Sequence, residues 1–250
     1  MKVLLLGGTA DGRHVAQALH QQGLSVIYSV AGLVRMPNVP CPVISGGFSQ
    51  WGGLQQYIEQ ESIDLILDVT HPFAETMSTT AVKVANKCGI PCWRFHRKAW
   101  EQQAGDNWQG FTEWKPLLKA LAGKQSIFVT AGQLTQELMD QLVQDSSIQK
   151  VLYRTAAPAK INLPDTVQWI KAIGPFDLQG EQALMKEHKV DALVTKNSGG
   201  DSTQAKLVAA RQLGIPVFMF QRPELPRADL EFEALSECID KVIDRCRFGA

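Results

Sequence analysis

Two stretches of this chain repeat one another, and the repeat narrows the possible folds more than any other feature. The first, ILDVTHPFAETMSTTAVKVANKCGIPCWRFHR, ends at Arg97; the second, ALVTKNSGGDSTQAKLVAARQLGIPVFMFQR, ends at Arg222. Each reads as strand, polar turn, helix, strand, then Phe-x-Arg. Thr70 and Thr195 each stand 19 residues before the glycine of a Gly-Ile-Pro. A short apolar run that ends in polar residues and feeds a helix is the grammar of a βαβ unit. Strands in such units are parallel and covered on both faces, so they read as apolar throughout. Two copies in one register predict two similar lobes.

The rest of the chain fits that grammar. KVLLL, residues 2–6, is a buried strand ending in Gly7-Gly8, and DGRHVAQALHQQG places Val15, Ala16 and Leu19 on one helix face before Gly23 stops it. SVIYSVAG is a second strand. A proline-rich loop and the turn GGFSQWGG follow, with a helix from about Leu54. The remaining pattern predicts a strand at IDLILDV, helix 75–87, strand 91–95, strand 125–132, helix 135–143, strands 148–153 and 167–172, helix 178–187, strand 190–194, helix 202–212 and strand 215–220. A last amphipathic helix is expected over about 229–245. Residues 98–112 break the rhythm, with Gly105, Gly110, Trp100 and Trp108, and read as a linker. The expected division is a nucleotide-binding lobe at 1–110 and a second α/β lobe at 111–250 that completes a substrate cleft.

A chain of 250 residues buries roughly 70–75% of its unfolded surface and needs no disulfide or metal to hold together. Its 25 basic and 25 acidic residues cancel, which argues against nucleic acid as a partner. Five cysteines, an odd number without a CxxC, predict free thiols in a reducing, cytoplasmic setting. The apolar run in MKVLLLGG is too short for a secretion signal or a membrane span. A monomer is the simpler expectation, with a dimer left open.

Ligands of open parallel sheets bind at the carboxyl ends of the strands, so the chemistry is sought there. GGTADGR follows the first strand and opens the first helix, offering small residues and a helix N-terminus to a phosphate. It departs from the usual GxGxxG spacing, and a plain tight turn is the alternative. Gly7, Gly8, Thr9 and Arg13 are the candidates, although Thr9 would equally cap the helix. The second strand ends without an acidic residue. Ser29 and Arg35 stand there instead, which favours NADPH over NADH. At the next strand end are Asp68, Thr70 and His71. His71 precedes a proline, so it is held extended, and it would bond a ligand, carry a proton or cap the following helix. In the second lobe Lys196, Asn197, Ser198, Gly199 and Gly200 supply donors with little bulk, suited to a carboxylate or phosphate, with Lys206 close behind. Arg154, in YRTAAP, presents the same choice between a bound anion and a structural role. HExxH, G-x-S-x-G and GxxxxGK[ST] are all absent, so no metal site, hydrolase elbow or P-loop is expected.

LLLGGTADGR, GGFSQWGGL, DVTHPFA, VTAGQ, IGPF and VTKNSGG occur here in one order, and together they resemble the precorrin-6A reductase family of cobalamin biosynthesis, including its cobalt-precorrin form. The resemblance runs from residue 3 to about residue 223. It implies two Rossmann-like lobes with parallel sheets and an intervening ligand cleft. The implied activity is NADPH-dependent reduction of one double bond of a polycarboxylate tetrapyrrole. On this reading Gly7, Gly8, Thr9, Arg13, Ser29, Arg35, Asp68 and Thr70 serve the cofactor, and His71 is the candidate proton donor. Arg154, Lys196, Asn197, Ser198, Gly199 and Gly200 would meet the substrate. The family has an arginine directly after the Ala-Gly of the second strand. Leu33 holds that place here, so the 2′-phosphate contact stays open. Two rival readings remain: a two-lobed sensor of a nucleotide or anionic metabolite, and a reductase of another anionic substrate.

Overall fold

A computed structural model describes residues 1–32 and 37–248. The chain divides into two compact units: Met1–Lys98 with Pro223–Ala250, and Ala99–Arg222.

The first unit contains β1 (Lys2–Leu6), α1 (Ala10–Gln21), β2 (Ser25–Val30), β3 (Val43–Ser45), α2 (Leu54–Glu61), β4 (Leu65–Asp68), α3 (Glu75–Cys88) and β5 (Cys92–Phe95). The second begins with β6 (Trp108–Phe111) and α4 (Trp114–Ala120). It continues through β7 (Ser126–Val129), α5 (Gln136–Gln144), β8 (Lys150–Thr155), β9 (Val167–Lys171), α6 (Leu178–Glu187), β10 (Ala192–Lys196), α7 (Ala205–Leu213) and β11 (Val217–Phe220). The chain then returns to the first unit as β12 (Leu230–Phe232) and α8 (Leu235–Phe248).

Each unit holds a six-stranded parallel sheet. The orders are β12-β5-β4-β1-β2-β3 and β6-β11-β10-β7-β8-β9, so β1 corresponds to β7, β2 to β8, β4 to β10 and β5 to β11. Gly7 and Gly132, Tyr28 and Tyr153, Thr70 and Thr195, and Gly89 and Gly214 all stand a constant 125 positions apart. Gly89 and Gly214 both take φ of 67° to end α3 and α7, a left-handed backbone that a side chain would strain.

The apolar strands explain the layers. Leu4, Leu5 and Leu6 of β1 are at most 1% exposed; burying each such side chain is worth about 1.5–3 kcal/mol. Val3 and Leu5 pack with Val15, Ala16 and Leu19 of α1 and with Cys238 and Val242 of α8. Leu4 and Leu6 face Leu54 and Ile58 of α2 and Ala81 and Ala85 of α3. In the second unit Phe128, Leu152 and Leu193 pack against Met185 of α6 and Leu207 and Ala210 of α7. All five cysteines are free thiols. Burial pushes those of Cys92 and Cys238 up to about 12, so both stay protonated.

Three expectations change. Residues 98–112 contain a strand, because Trp108–Phe111 pairs in parallel with Val217–Phe220. The expected 229–245 helix starts later, because Leu230–Phe232 pairs with Trp93–Phe95. The boundary expected at 110 lies at Lys98, and 223–250 belongs with the first unit, because α8 supplies Cys238 and Val242 to that unit's core. Helical periodicity identified an apolar face near the C terminus but carries no information about which sheet it covers.

Candidate functional site

The carboxyl ends of β1, β2, β3 and β4 surround a cavity of about 320 Å³. Its walls are Leu6, Gly7 and Gly8 at the end of β1, Ser29–Gly32 at the end of β2, Gly46–Phe48 after β3, and Thr70, His71, Ala74 and Met77 beyond β4. Gly8 takes φ of +105°, and nothing lies within 4 Å of where its Cβ would stand. The space above this turn is therefore open to ligand atoms, and a side chain at Gly8 would enter it.

Local bonding fixes the turn. Thr9 is the N-cap of α1: its Oγ1 accepts the Gly12 N–H at 2.9 Å and donates to the Val69 carbonyl at 3.0 Å. Of the two roles expected for Thr9, the cap is the one its hydroxyl fulfils. The amides of Ala10 and Asp11 lie ahead of the first intrahelical bonds. The Asp11 carboxylate would repel an anion there, but Arg97 Nη1 pairs with it at 2.5 Å. Arg13 Nη1 donates to the Thr9 carbonyl at 3.2 Å, which keeps a guanidinium beside the turn.

Tyr28, absent from the sequence-derived candidates, supports the turn from below. Its hydroxyl accepts the Gly8 N–H at 2.9 Å, and a Cβ on Gly7 would come within 2.3 Å of its ring. Burial raises the phenol pKa, only partly offset by the Gly8 amide and the Arg13 charge, so the hydroxyl keeps its proton. A signal for it existed in the sequence: Tyr153 lies 125 positions on and plays the same part in the second unit.

Asp68 does not line the cavity. It is fully buried and accepts from the Thr70 amide at 3.1 Å, the Thr70 hydroxyl at 2.7 Å and Arg94 Nε at 3.2 Å. Its role is to orient Thr70, which does face the cavity. His71 also faces it, but it does not cap α3, whose N-cap is Ala74. The His71 Nδ1 instead accepts the Phe73 N–H at 3.3 Å. An accepting Nδ1 leaves Nε2 as the ring atom that carries hydrogen. Arg35, together with Leu33, lies outside the described residues.

In the second unit the expected substrate residues have other work. Arg154 is 8% exposed. It forms a two-pronged pair with Glu181, at 2.5 and 3.1 Å, and its guanidinium lies 3.8 Å from the Phe176 ring centre and 4.7 Å from that of Phe128. The guanidinium is thus enclosed by one carboxylate and two aromatic rings. Asn197 is likewise committed. Its Oδ1 accepts from the Trp100 amide at 2.8 Å, and its Nδ2 donates to the Trp100 carbonyl at 3.0 Å. Arg222 then holds the carbonyls of Asn197 and Ser198 at 3.0 and 3.2 Å. Gly199 and Gly200, at φ of 65° and 82°, lead into a short 3-10 turn at Asp201–Thr203, so the helix expected at 202 begins at Ala205.

Two lysines remain near that loop. Lys196 is half-buried, and burial lowers its pKa. Its Nζ lies 3.7 Å from the position a Cβ would take on Gly132, so its ammonium stands over the second unit's glycine turn. Lys206 is buried over the Trp100 ring at 4.7 Å and donates to the Thr203 carbonyl at 2.7 Å. Burial, with the Arg154 charge adding, lowers its pKa to about 7. Among the described residues no cluster of three or more His, Cys, Asp or Glu is placed to hold a metal ion, and no helix is long and apolar enough to cross a membrane.

Comparison with known proteins agrees with this architecture. The family model described as Precorrin-6x reductase CbiJ/CobK matches residues 2–246. Precorrin-6A reductase of Rhodococcus erythropolis is 39% identical over 230 residues, covering 91% of each chain. Cobalt-precorrin-6A reductase of Priestia megaterium is 26% identical over 257 residues, covering 98% of this chain and 99% of that one. A solved structure titled CobK precorrin-6A reductase superposes with a TM-score of 0.86 at 32% identity, covering 98% of this chain and 97% of that one.

Proposed function

The chain belongs to the precorrin-6x reductase (CbiJ/CobK) family, and from that premise we propose that it catalyses the NADPH-dependent reduction of a double bond in precorrin-6A, giving the 6B product of corrin ring biosynthesis. The observation that carries the reading within the molecule is the open cavity above Gly7 and Gly8, at the carboxyl ends of four parallel strands. When bound there, NADPH supplies the hydride. The residues present fit it. The Ala10 and Asp11 amides and the Arg13 guanidinium would hold its phosphates. Ser29 replaces the acidic residue that would select NADH and repel a 2′-phosphate. Phe48 and Met77 offer apolar walls to a flat ring.

Thr70, oriented by Asp68, and His71, held by Phe73, would fix the reacting end of the ligand. With Nδ1 accepting from Phe73, His71 serves best as a hydrogen-bond donor through Nε2. Delivering a proton as imidazolium would first break the Phe73 bond. The chain's own contribution is thus orientation and exclusion of water. Lys196 and Ser198, at and just beyond the carboxyl end of β10, would meet substrate carboxylates. Metal-free precorrin-6A is favoured as substrate, since the relative named for it is 39% identical and the cobalt-precorrin relative 26%.

Stopped-flow loss of NADPH absorbance, with precorrin-6A and its cobalt form offered separately, tests this. Rapid oxidation with precorrin-6A, slower with the cobalt form, is expected. No oxidation with either overturns the assignment. In the same assay His71→Ala should slow the single-turnover step about tenfold, with His71→Gln closer to the parent. An unchanged rate in His71→Ala removes the residue from the reaction.

A further inference from the structure

The inference concerns Ser29 and rests on the reading of the first-unit cavity as the NADPH site. Ser29 lies next to the end of β2 and is 6% exposed. Side chains alternate along a strand. Tyr28 and Val30 pack with Val15 and Leu19 of α1, whereas Ile27 packs with Leu54 and Ile58 of α2. The Ser29 side chain therefore points to the α2 side of the sheet. Its register partners there, Leu6 on β1 and Ile44 on β3, are apolar and belong to the same layer. Among the described residues nothing bonds the Ser29 hydroxyl, yet it is not sealed from solvent. Its open side is the cavity that the residue lines. A hydroxyl so deeply set, with its bonds unspent, costs free energy until a ligand meets it.

The surroundings decide which part of the cofactor that is. Leu6 and Phe48 are apolar parts of the same wall. The Phe48 ring is braced by Tyr57 and Trp51, whose ring centres lie 5.3 and 6.1 Å away. No lysine or arginine stands among the described residues of the wall, so a phosphate drawn in here would lose its water with no cation to replace it. A flat, uncharged ring with polar atoms on its edge loses little and gains one hydrogen bond. NADPH carries two such rings. The sheet order puts β2 and β3 on one side of β1 and β4 on the other. With the pyrophosphate on the β1 turn, the adenosine half lies over β2 and the nicotinamide half toward β4.

We propose that Ser29 is a base-specificity residue, whose hydroxyl hydrogen-bonds the polar edge of the adenine ring lying against Phe48 and does not read the 2′-phosphate. The lack of charge at Ser29 admits NADPH; the hydroxyl anchors the part that NADPH and NADH share. A serine hydroxyl both donates and accepts, so either a ring nitrogen or the amino group of adenine meets it.

Ser29→Ala removes one oxygen that the fold itself does not use, so thermal stability should stay at the parent's. Fluorescence titration then compares NADPH, NADH and reduced nicotinamide cytosine dinucleotide, which keeps the ribose and pyrophosphate but replaces the purine by a single ring. The NADPH and NADH Kd values should each rise about fivefold, or about 1 kcal/mol, with the cytosine dinucleotide changed by less than about twofold. A loss confined to NADPH would assign the hydroxyl to the 2′-phosphate and overturn the proposal. Equal losses for NADH and the cytosine dinucleotide would assign it to the ribose and overturn it as well. Unchanged Kd values for all three reject any role for the hydroxyl while leaving the cofactor site in place. A parent protein that fails to bind NADPH overturns the cavity assignment, and this inference with it. Should Ser29→Ala not fold, the parent answers with 1,N6-etheno-NADP+, whose bridged adenine edge should bind about tenfold more weakly than NADP+; equal affinity rejects recognition of that edge.

Discussion

In the first unit the turn after β1 is Gly7-Gly8-Thr9; in the second the turn after β7 is Gly132-Gln133-Leu134. Each is held from below by a tyrosine on the adjacent strand. Above the turn they part. Gly8 leaves its side-chain position open, whereas Gln133 reaches across to the carbonyls of Ala157 and Pro158 at 3.2 and 3.1 Å. Ser29 is small and faces a cavity. Its counterpart Arg154 is large, paired with Glu181 and enclosed by aromatic rings. His71 gives way to Lys196, whose ammonium lies over the turn. One scaffold therefore yields an open cavity in one unit and a filled, cation-rich strand end in the other. Binding capacity is set by a few side chains at strand ends, not by the fold.

The strongest way to break this comparison is at Arg154. Arg154→Met strands the Glu181 carboxylate in the core and should cost about 3–5 kcal/mol in urea unfolding. The double variant Arg154→Met/Glu181→Met should recover most of that, with substrate affinity retained. A single variant of near-parental stability that no longer binds substrate would make Arg154 a ligand residue after all.

The glycine turns offer the next test. Gly8→Val should raise the NADPH Kd on the order of 100-fold, or about 2.7 kcal/mol, because the side chain occupies the cavity. The matching change in the second unit, Gln133→Val, should leave that Kd within about twofold. Equal losses from both would mean that the cofactor does not distinguish the units.

A third test, of pH dependence, lies at Lys206. Its folded pKa of about 7 lies below its ordinary value of 10.5, so between those values the unfolded chain binds more protons. Stability must then rise with pH across that window and fall back as pH drops toward 7. Lys206→Met lacks this slope. The parent should therefore gain on the variant in urea unfolding between pH 7.5 and about 9.5. A stability gap constant over that range would show that Lys206 does not titrate there.

Much of this architecture was legible beforehand. Thr70 and Thr195, in register with their Gly-Ile-Pro glycines, announced two like βαβ units, because a parallel strand buried on both faces leaves an apolar run that little else produces. The glycine turn and the strand-end candidates Ser29, Thr70 and His71 all line the cavity. Asp68, Arg154 and Asn197 each have an internal partner that the sequence does not announce. Each is a polar residue at a strand end, and sequence records the polar group without recording its partner. Arg94, Glu181 and the Trp100 main chain, which pair with them, lie 26, 27 and 97 positions away.

The sequence by itself determined most of the strands and helices, their parallel order within each repeat and the glycines at which side chains are excluded. These follow from local backbone preference and from apolar periodicity, both written within some twenty residues. Tertiary structure alone decided that Leu230–Phe232 returns to the first sheet, that Tyr28 underpins the Gly7-Gly8 turn, and which polar groups are consumed internally. Those outcomes depend on distant partners meeting in a dry interior, where a buried polar group must find a hydrogen bond from whatever the fold brings beside it.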